Sequence, residues 1–429
     1  MDKPFVVSNA TIWSACGEEP FTGSVGIENG KIAFIRRGDA MAPSGWETLD
    51  LPGCWLVPGL IDCHVHLCSP VGKGIHEPYW KLSTPPPLKV LHALRNAEEA
   101  LGAGFTTLRN CGGVSYGMPE DILLRNAIRG GVVEGPRIVA CGGGITMTGG
   151  HGDRAIPPFM PPNPEIGLGE VPADGPAACR KEVRRKVRLG ADFIKIFTTG
   201  GVSTPGDGPH SVDFTMEELE NLIDEAHLHG KRVATHAQGN RGIRNAVIAG
   251  VDTVEHGSFL DEETASLMAE KGTTLIPTLG IFKAILARGK EYPNPEAIRK
   301  AEMICEAQSN AVRIARVAGV NIALGTDASV SIKCGENGLE LLELVREGLS
   351  PAEALCAATC NAARALGIAE ETGSLELGKA ADLLVLETDP FGNLDALARK
   401  ESILAVIGRG KACRVNGKGR ERLGNFQAG

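Results

Sequence analysis

The chain has 429 residues, 43% of them apolar, and a net charge of −8 with no basic run. That balance argues against nucleic acid or an anionic membrane surface as the main partner. Twelve cysteines without a CxxC pair exclude a disulfide scaffold and fit a reducing cytoplasm. No stretch approaches the roughly 18 apolar residues of a membrane span. The start, "MDKPFVVSNATIWS", lacks the basic, apolar and small-residue order of a signal peptide. A soluble, cytoplasmic protein is expected.

In chain order, residues 1–57 read as short β segments: "PFVVSNATIWS", "GSVGIENGKIAFIRRG" and "ETLDLPGCWLVPG". "IENGKI" is an Asn-Gly hairpin signal between apolar residues. The last stretch reads alike, in "GSLELGKAADLLVLETDP" and "ILAVIGRGKACRVNG". Two β-rich ends around a different middle predict a small β-sandwich domain built from both termini, residues 1–57 and 371–429.

The middle, 58–370, alternates strand and helix. Eight strands are predicted: Leu60–His66, Phe105–Asn110, Arg137–Cys141, Phe193–Phe197, Arg232–His236, Thr253–His256, Thr274–Pro277 and Asn321–Gly325. Between them lie helical patterns such as "LKVLHALRNAEEALGAG", "GNRGIRNAVIAG" and "TMEELENLIDEAHLHG". The last opens on a Thr-x-x-Glu capping signal. The pattern is α/β, a (β/α)8 TIM barrel. Three long loops, Ser69–Pro87, Gly142–Gly175 and Gly200–Asp213, follow strands and so belong to the C-terminal rim, where such barrels place their sites.

Histidine is scarce, ten in all, and its placement carries the chemistry. His64 and His66 form "HVH" at the end of the first strand, and residues i and i+2 of a strand share a face. His236 ends the fifth strand, His256 the sixth and Asp327 the eighth. Imidazoles and a carboxylate converging at a barrel mouth are the donor set of a metal site.

Lys195 sits in "ADFIKIFTTGGVS", among Phe193, Ile194, Ile196 and Phe197. A charged amine there is costly unless paired or altered. Beside a divalent cation an ammonium is repelled, whereas a neutral amine can add carbon dioxide and become an anionic carbamate. Such a carbamate could bridge two metals. The alternatives are an amine reaching a neighbouring aspartate, or one contacting substrate.

The motifs "PGLIDCHVHL", "GADFIKIFTTGGVST", "THAQG", "VEHGS", "GTDAS" and "GSLELGKAADLLVL" resemble those of the amidohydrolase superfamily over nearly the whole chain. Together with "GHGD" at 150–153 they are similar to its binuclear zinc branch with a carboxylated lysine. That branch holds Xaa-Pro and Xaa-Arg dipeptidases, ochratoxin-degrading amidases and enzymes labelled imidazolonepropionase-like. The resemblance implies two zinc ions bridged by N6-carboxylated Lys195 and hydroxide. His64, His66, Lys195 and Asp327 would hold the more buried ion, and Lys195, His236 and His256 the more exposed one. It implies Asp327 as the proton-transferring catalytic residue. His151 is implied as a substrate contact at the scissile carbonyl.

Two positions depart from the branch. Gln238 stands where some members have a carbonyl-polarising tyrosine; its amide donates a hydrogen bond without an acidic hydroxyl. Asn110 replaces the usual aspartate after the second strand. The basic residues Lys73, Arg154, His210 and Arg241 lie in rim loops, where they could hold a substrate carboxylate; solvated surface is the reading favoured for each.

The implied activity is metal-dependent hydrolysis of the amide bond of dipeptides or N-acyl amino acids, by a homo-oligomer acting on small molecules. The alternatives are the same barrel cleaving a cyclic amide, an ester or another C–N bond, or a non-enzymatic scaffold.

Overall fold

The computed structural model describes residues 3–15, 17–38, 42–70, 77–153, 159–162, 164–202, 204, 206–289 and 294–423. Its strands fall into an end group and a middle group. The end group is β1 (Phe5–Ile12), β2 (Phe21–Glu28), β3 (Lys31–Arg37), β4 (Glu47–Asp50) and β5 (Trp55–Pro58) from the N-terminal side. The middle group runs β6 (Leu60–Val65), β7 (Phe105–Asn110), β8 (Arg137–Ala140), β9 (Ile145–Thr146), β10 (Val171–Pro172), β11 (Ile194–Phe197), β12 (Val233–Ala237), β13 (Thr253–His256) and β14 (Thr274–Ile276). Then β15 (Leu383–Leu386), β16 (Ile403–Gly408) and β17 (Lys411–Val415) return to the end group.

The two termini do combine. Where a two-sheet sandwich was expected, pairing joins the end strands into one eight-stranded sheet, ordered β17-β16-β15-β5-β1-β2-β3 with β4 beside β1. The seam is β15 lying antiparallel on β5, Leu384 opposite Val57. Alternation along β15 explains why one sheet suffices. Leu383 and Val385 enter the core of this sheet, while Leu384 and Leu386 enter the core of the middle region. Period-two side chains thus let one sheet seal two cores. The Asn-Gly hairpin forms as expected. Asn29 and Gly30 both have positive φ, 52° and 75°, and Glu28 pairs with Lys31, the twist that a tight antiparallel turn requires.

The middle strands are parallel and form two sheets, β6-β7-β8 and β10-β9-β11-β12-β13-β14. Helices follow them, among others Pro86–Gly102, Met216–Leu228, Asn240–Ala249 and Pro295–Val317. Every residue of β6, β7 and β11 to β14 is buried, as parallel strands covered on both faces must be. Thr215 caps Met216–Leu228 with a full capping box to Glu218, which satisfies donors that a helix start leaves open.

The eighth predicted strand is not a regular strand. Segment 321–328 makes single parallel bridges, Ile322 to Leu275 on β14 and Ala328 to Val65 on β6. A side chain adds to its backbone bonds: the Asp62 carboxylate accepts from the Thr326 backbone N–H at 3.1 Å and the Thr326 hydroxyl at 2.6 Å. The segment nevertheless links the two parallel sheets, with Cys63 N–H donating to Leu324 O at 2.9 Å and Ala323 N–H to Leu275 O at 3.0 Å. Among the described residues no helix is long and apolar enough to cross a membrane.

Candidate metal centre

The C-terminal ends of β6, β11, β12 and β13 and segment 321–328 deliver the predicted donors to one place. His64 and His66 face each other with ring centroids 5.3 Å apart, and His64 lies 5.2 Å from His256. His256 lies 4.6 Å from His236, and His236 stacks on His151 at 4.4 Å and 12°. Five imidazoles therefore form one continuous run. Asp327 Oδ1 sits 3.1 Å from His66 Nε2 and 3.7 Å from His64 Nε2. Donor atoms of His64, His66 and Asp327 all lie within 4.8 Å of one another, close enough to share a metal ion.

Backbone geometry aims these groups. His256 and Asp327 have φ of 72° and 56°, and Thr278, whose hydroxyl meets His256 Nδ1 at 2.6 Å, has 50°. Left-handed backbone is disfavoured for branched and ordinary side chains and persists where surrounding structure enforces it, a habit of functional sites. Asp327 is pinned by its own N–H donating to His64 O at 2.7 Å.

The sequence reading missed the groups behind the ligands. Glu255, fully buried, accepts from His64 Nδ1 at 2.8 Å, from Arg109 Nη2 at 2.7 Å and from the Thr253 hydroxyl at 2.6 Å. Burial alone would raise its carboxyl, but the Arg109 guanidinium and the His64 bond hold it well below the usual range. An ionised Glu255 fixes the proton on His64 Nδ1 and leaves Nε2 facing the centre, the carboxylate–histidine arrangement that orients metal ligands. A signal existed: Arg109 and Glu255 are charges inside apolar strands, as Lys195 is.

The electrostatics suit cation binding. Burial, assisted by the charge of Lys195, lowers His64 to about 4. Burial and neighbouring cationic groups push His236 and His256 down as well. Burial opposes ionisation of Asp327, yet the His66 hydrogen bond and the nearby histidines keep it well below the ordinary carboxylate range. Neutral imidazoles and an ionised carboxylate are the ligating forms.

Lys195 lies on β11 opposite Ala234 of β12. Its Nζ is buried and has no hydrogen-bond partner among the described residues. The ion pair with an aspartate that the sequence left open is therefore not formed. A buried amine without a partner costs about 1–3 kcal/mol, more when charged. Such an orphan points to a missing group.

The remaining predicted residues sort clearly. His151 is the last ring of the imidazole run, stacked on His236 and half-buried. The Ser258 hydroxyl holds the Oε1 of buried Gln238 at 2.5 Å. Asn110 is outside the donor cluster: its Oδ1 accepts from Leu67 N–H at 2.8 Å and its Nδ2 donates to Asp121 at 3.2 Å. An aspartate at 110 would set two buried carboxylates against each other, so the departure from the branch is matched by Asp121. His210 packs on Phe259 at 4.4 Å and Arg241 is exposed. Lys73 and Arg154 lie outside the described residues.

Parallel strands that present imidazole and carboxylate donors at their C-terminal ends define a candidate metal centre of the hydrolytic kind. The sequence profile described as the amidohydrolase family matches residues 55–413. The chain belongs to the amidohydrolase family, and is accordingly a hydrolase. It is 34% identical over 382 residues to ochratoxinase of Aspergillus niger, spanning 85% of this chain and 76% of that protein. It is similar to the crystal structure of a Xaa-Pro dipeptidase with bound methionine in the active site. That likeness has a TM-score of 0.86 and 30% identity, over 96% of this chain and 99% of the other. A prolidase complexed with N-methylphosphonate-L-proline matches at TM-score 0.87 and 28% identity, over 96% and 100%.

Proposed function

We propose that the chain hydrolyses the amide bond of a Xaa-Pro-like dipeptide or an N-acyl amino acid at a centre of two zinc ions. The observation that carries this reading is the orphaned, buried Lys195 Nζ beside the imidazole run. A carbamate on that nitrogen gives the amine two oxygens and a negative charge to share between cations. His64, His66, Lys195 and Asp327 would hold one ion, and Lys195, His236 and His256 the other, a donor set zinc accepts. Bound there, the metals supply Lewis-acid polarisation of the scissile carbonyl and activation of water near neutral pH.

The residues of the chain do the rest. The Asp327 carboxylate takes the proton of the attacking water and returns it to the leaving nitrogen, so that amide plus water become acid plus amine. His151 binds the carbonyl oxygen as negative charge develops on it. Ser258 occupies Gln238 Oε1, which leaves the Gln238 amide NH2 as its donor toward substrate. In this reading 58–370 is a (β/α)8 barrel, with segment 321–328 as its eighth stave, and 1–57 with 371–429 is the accompanying domain. Membership of the family and the likeness to the Xaa-Pro dipeptidase and ochratoxinase support the substrate class. The cysteines of the described residues, all free, suit a reducing cytoplasm.

The test is zinc per chain after expression with zinc and bicarbonate, alongside a panel of dipeptides and N-acyl amino acids. Two ions per chain and cleavage of panel members are expected. Lys195→Ala should lower zinc content and rate together. A Lys195→Ala protein with full zinc and full rate would refute the bridging role, and a wild type without zinc would refute the whole reading.

A further inference from the structure

Loop 200–213 carries a carboxylate that the scheme above does not use. Asp207 Oδ2 lies 2.6 Å from His151 Nδ1, and the Asp207 side chain is only 4% exposed. The same oxygen accepts from the Gly201 backbone N–H at 3.1 Å. The other oxygen lies 3.4 Å from Lys300 Nζ. Lys300 in turn donates to Thr204 O at 2.9 Å and pairs with Glu296 at 2.9 Å, on helix Pro295–Val317. A cation from a distant helix thus holds the loop carboxylate in place.

The imidazole itself is fixed on several sides. One face stacks on His236. The His151 backbone N–H donates to Asp213 at 3.0 Å. A Cβ on residue 201 would come within 2.3 Å of His151 Cε1, so only glycine allows the backbone this close. Among the described residues His151 Nε2 has no partner.

We infer that Asp207 is a positioning residue that holds His151 with Nδ1 as donor and presents Nε2 to the substrate. The inference rests on the substrate contact assigned to His151 above. An ionised carboxylate only accepts, so a 2.6 Å contact commits the proton to Nδ1. A carboxylate that orients a histidine in this way governs which ring nitrogen does the chemistry. Asp207→Asn keeps the size but offers an NH2, which favours the opposite tautomer without emptying the site.

The decisive experiment is a double-mutant cycle of His151→Ala and Asp207→Asn on zinc-loaded protein, with the panel substrate that wild type cleaves fastest. Asp207→Asn is expected to lower kcat about 10-fold or more, within the range of acid–base and positioning effects, with KM and zinc content unchanged. Placed on His151→Ala it should cause no further loss. An equal loss on both backgrounds would overturn the inference while leaving the role of His151 standing. A wild-type rate for His151→Ala would sink that role and the inference with it.

A second readout needs no substrate. In histidine-labelled protein, one hydrogen-bonded Nδ1 proton resonance should vanish in both His151→Ala and Asp207→Asn; its persistence in Asp207→Asn would overturn the inference. Should Asp207→Asn fail to fold, Asp207→Glu, which keeps the charge and lengthens the arm, takes its place in the kinetic cycle with the same expectations.

Discussion

Replacing Glu255 with glutamine tests whether the layer behind the ligands holds the centre together. Glu255 and Arg109 are 0% and 3% exposed and 2.7 Å apart. Removing one partner of such a pair strands the other, at a cost of about 3–5 kcal/mol. With an unfolding entropy of roughly 2.1 cal/mol/K per residue, cooperative unfolding of 429 residues converts this to a melting shift of about 3–6 °C. His64 also loses the acceptor that orients it, which should weaken metal binding by about 10–100-fold.

The assay is thermal melting of metal-free protein together with zinc titration against a competing chelator. The control is the pair Arg109→Met with Glu255→Leu, which removes both charges. Replacing a buried ion pair by apolar side chains is often neutral or stabilising, so the melting temperature should recover. Zinc affinity should stay low, because His64 Nδ1 still lacks its acceptor. A Glu255→Gln protein that melts and binds zinc like wild type would refute the reasoning. So would a double variant that recovers zinc affinity.

Two other changes probe separate links. Gly201→Ala sets a Cβ within 2.3 Å of His151 Cε1 and 2.7 Å of Nε2, so the ring must move; activity should fall at unchanged zinc content, and an undiminished rate would show that the ring position does not matter. Glu340 is buried and its carboxyl is raised to about 8, because burial outweighs the bonds from Gly280 and Leu279 N–H. A raised folded-state pKa contributes stability that is full below the ordinary value of 4.5 and is lost as pH rises through about 8. The melting temperature of wild type relative to Glu340→Gln should therefore decline across that interval, and a constant difference would contradict it.

The candidate donors were legible because each lies in or just after an apolar run that reads as a strand. His64, His66, His236, His256, Asp327 and Lys195 were all placed by counting strands, and the structure gathers their side chains. The irregular course of the eighth segment was not legible, since the Asp62 carboxylate, 264 positions away, joins its backbone bonds in holding it. The single end sheet was not legible either, because alternation shows that a strand has two faces but not what each face meets.

What the order of residues determines by itself is local: the periodicities that select strand or helix, the Asn-Gly turn, the Thr215 cap, and a charge in an apolar strand that demands an explanation. What only the tertiary structure decided is which distant charges meet. Arg109 and His64 reach Glu255 across 146 and 191 positions, and Asp207 reaches His151 across 56. A hydrogen bond depends on separation in space, and separation in space is set by how the sheets and helices pack, so the candidate ligands could be read along the chain and the pairing of their supports could not.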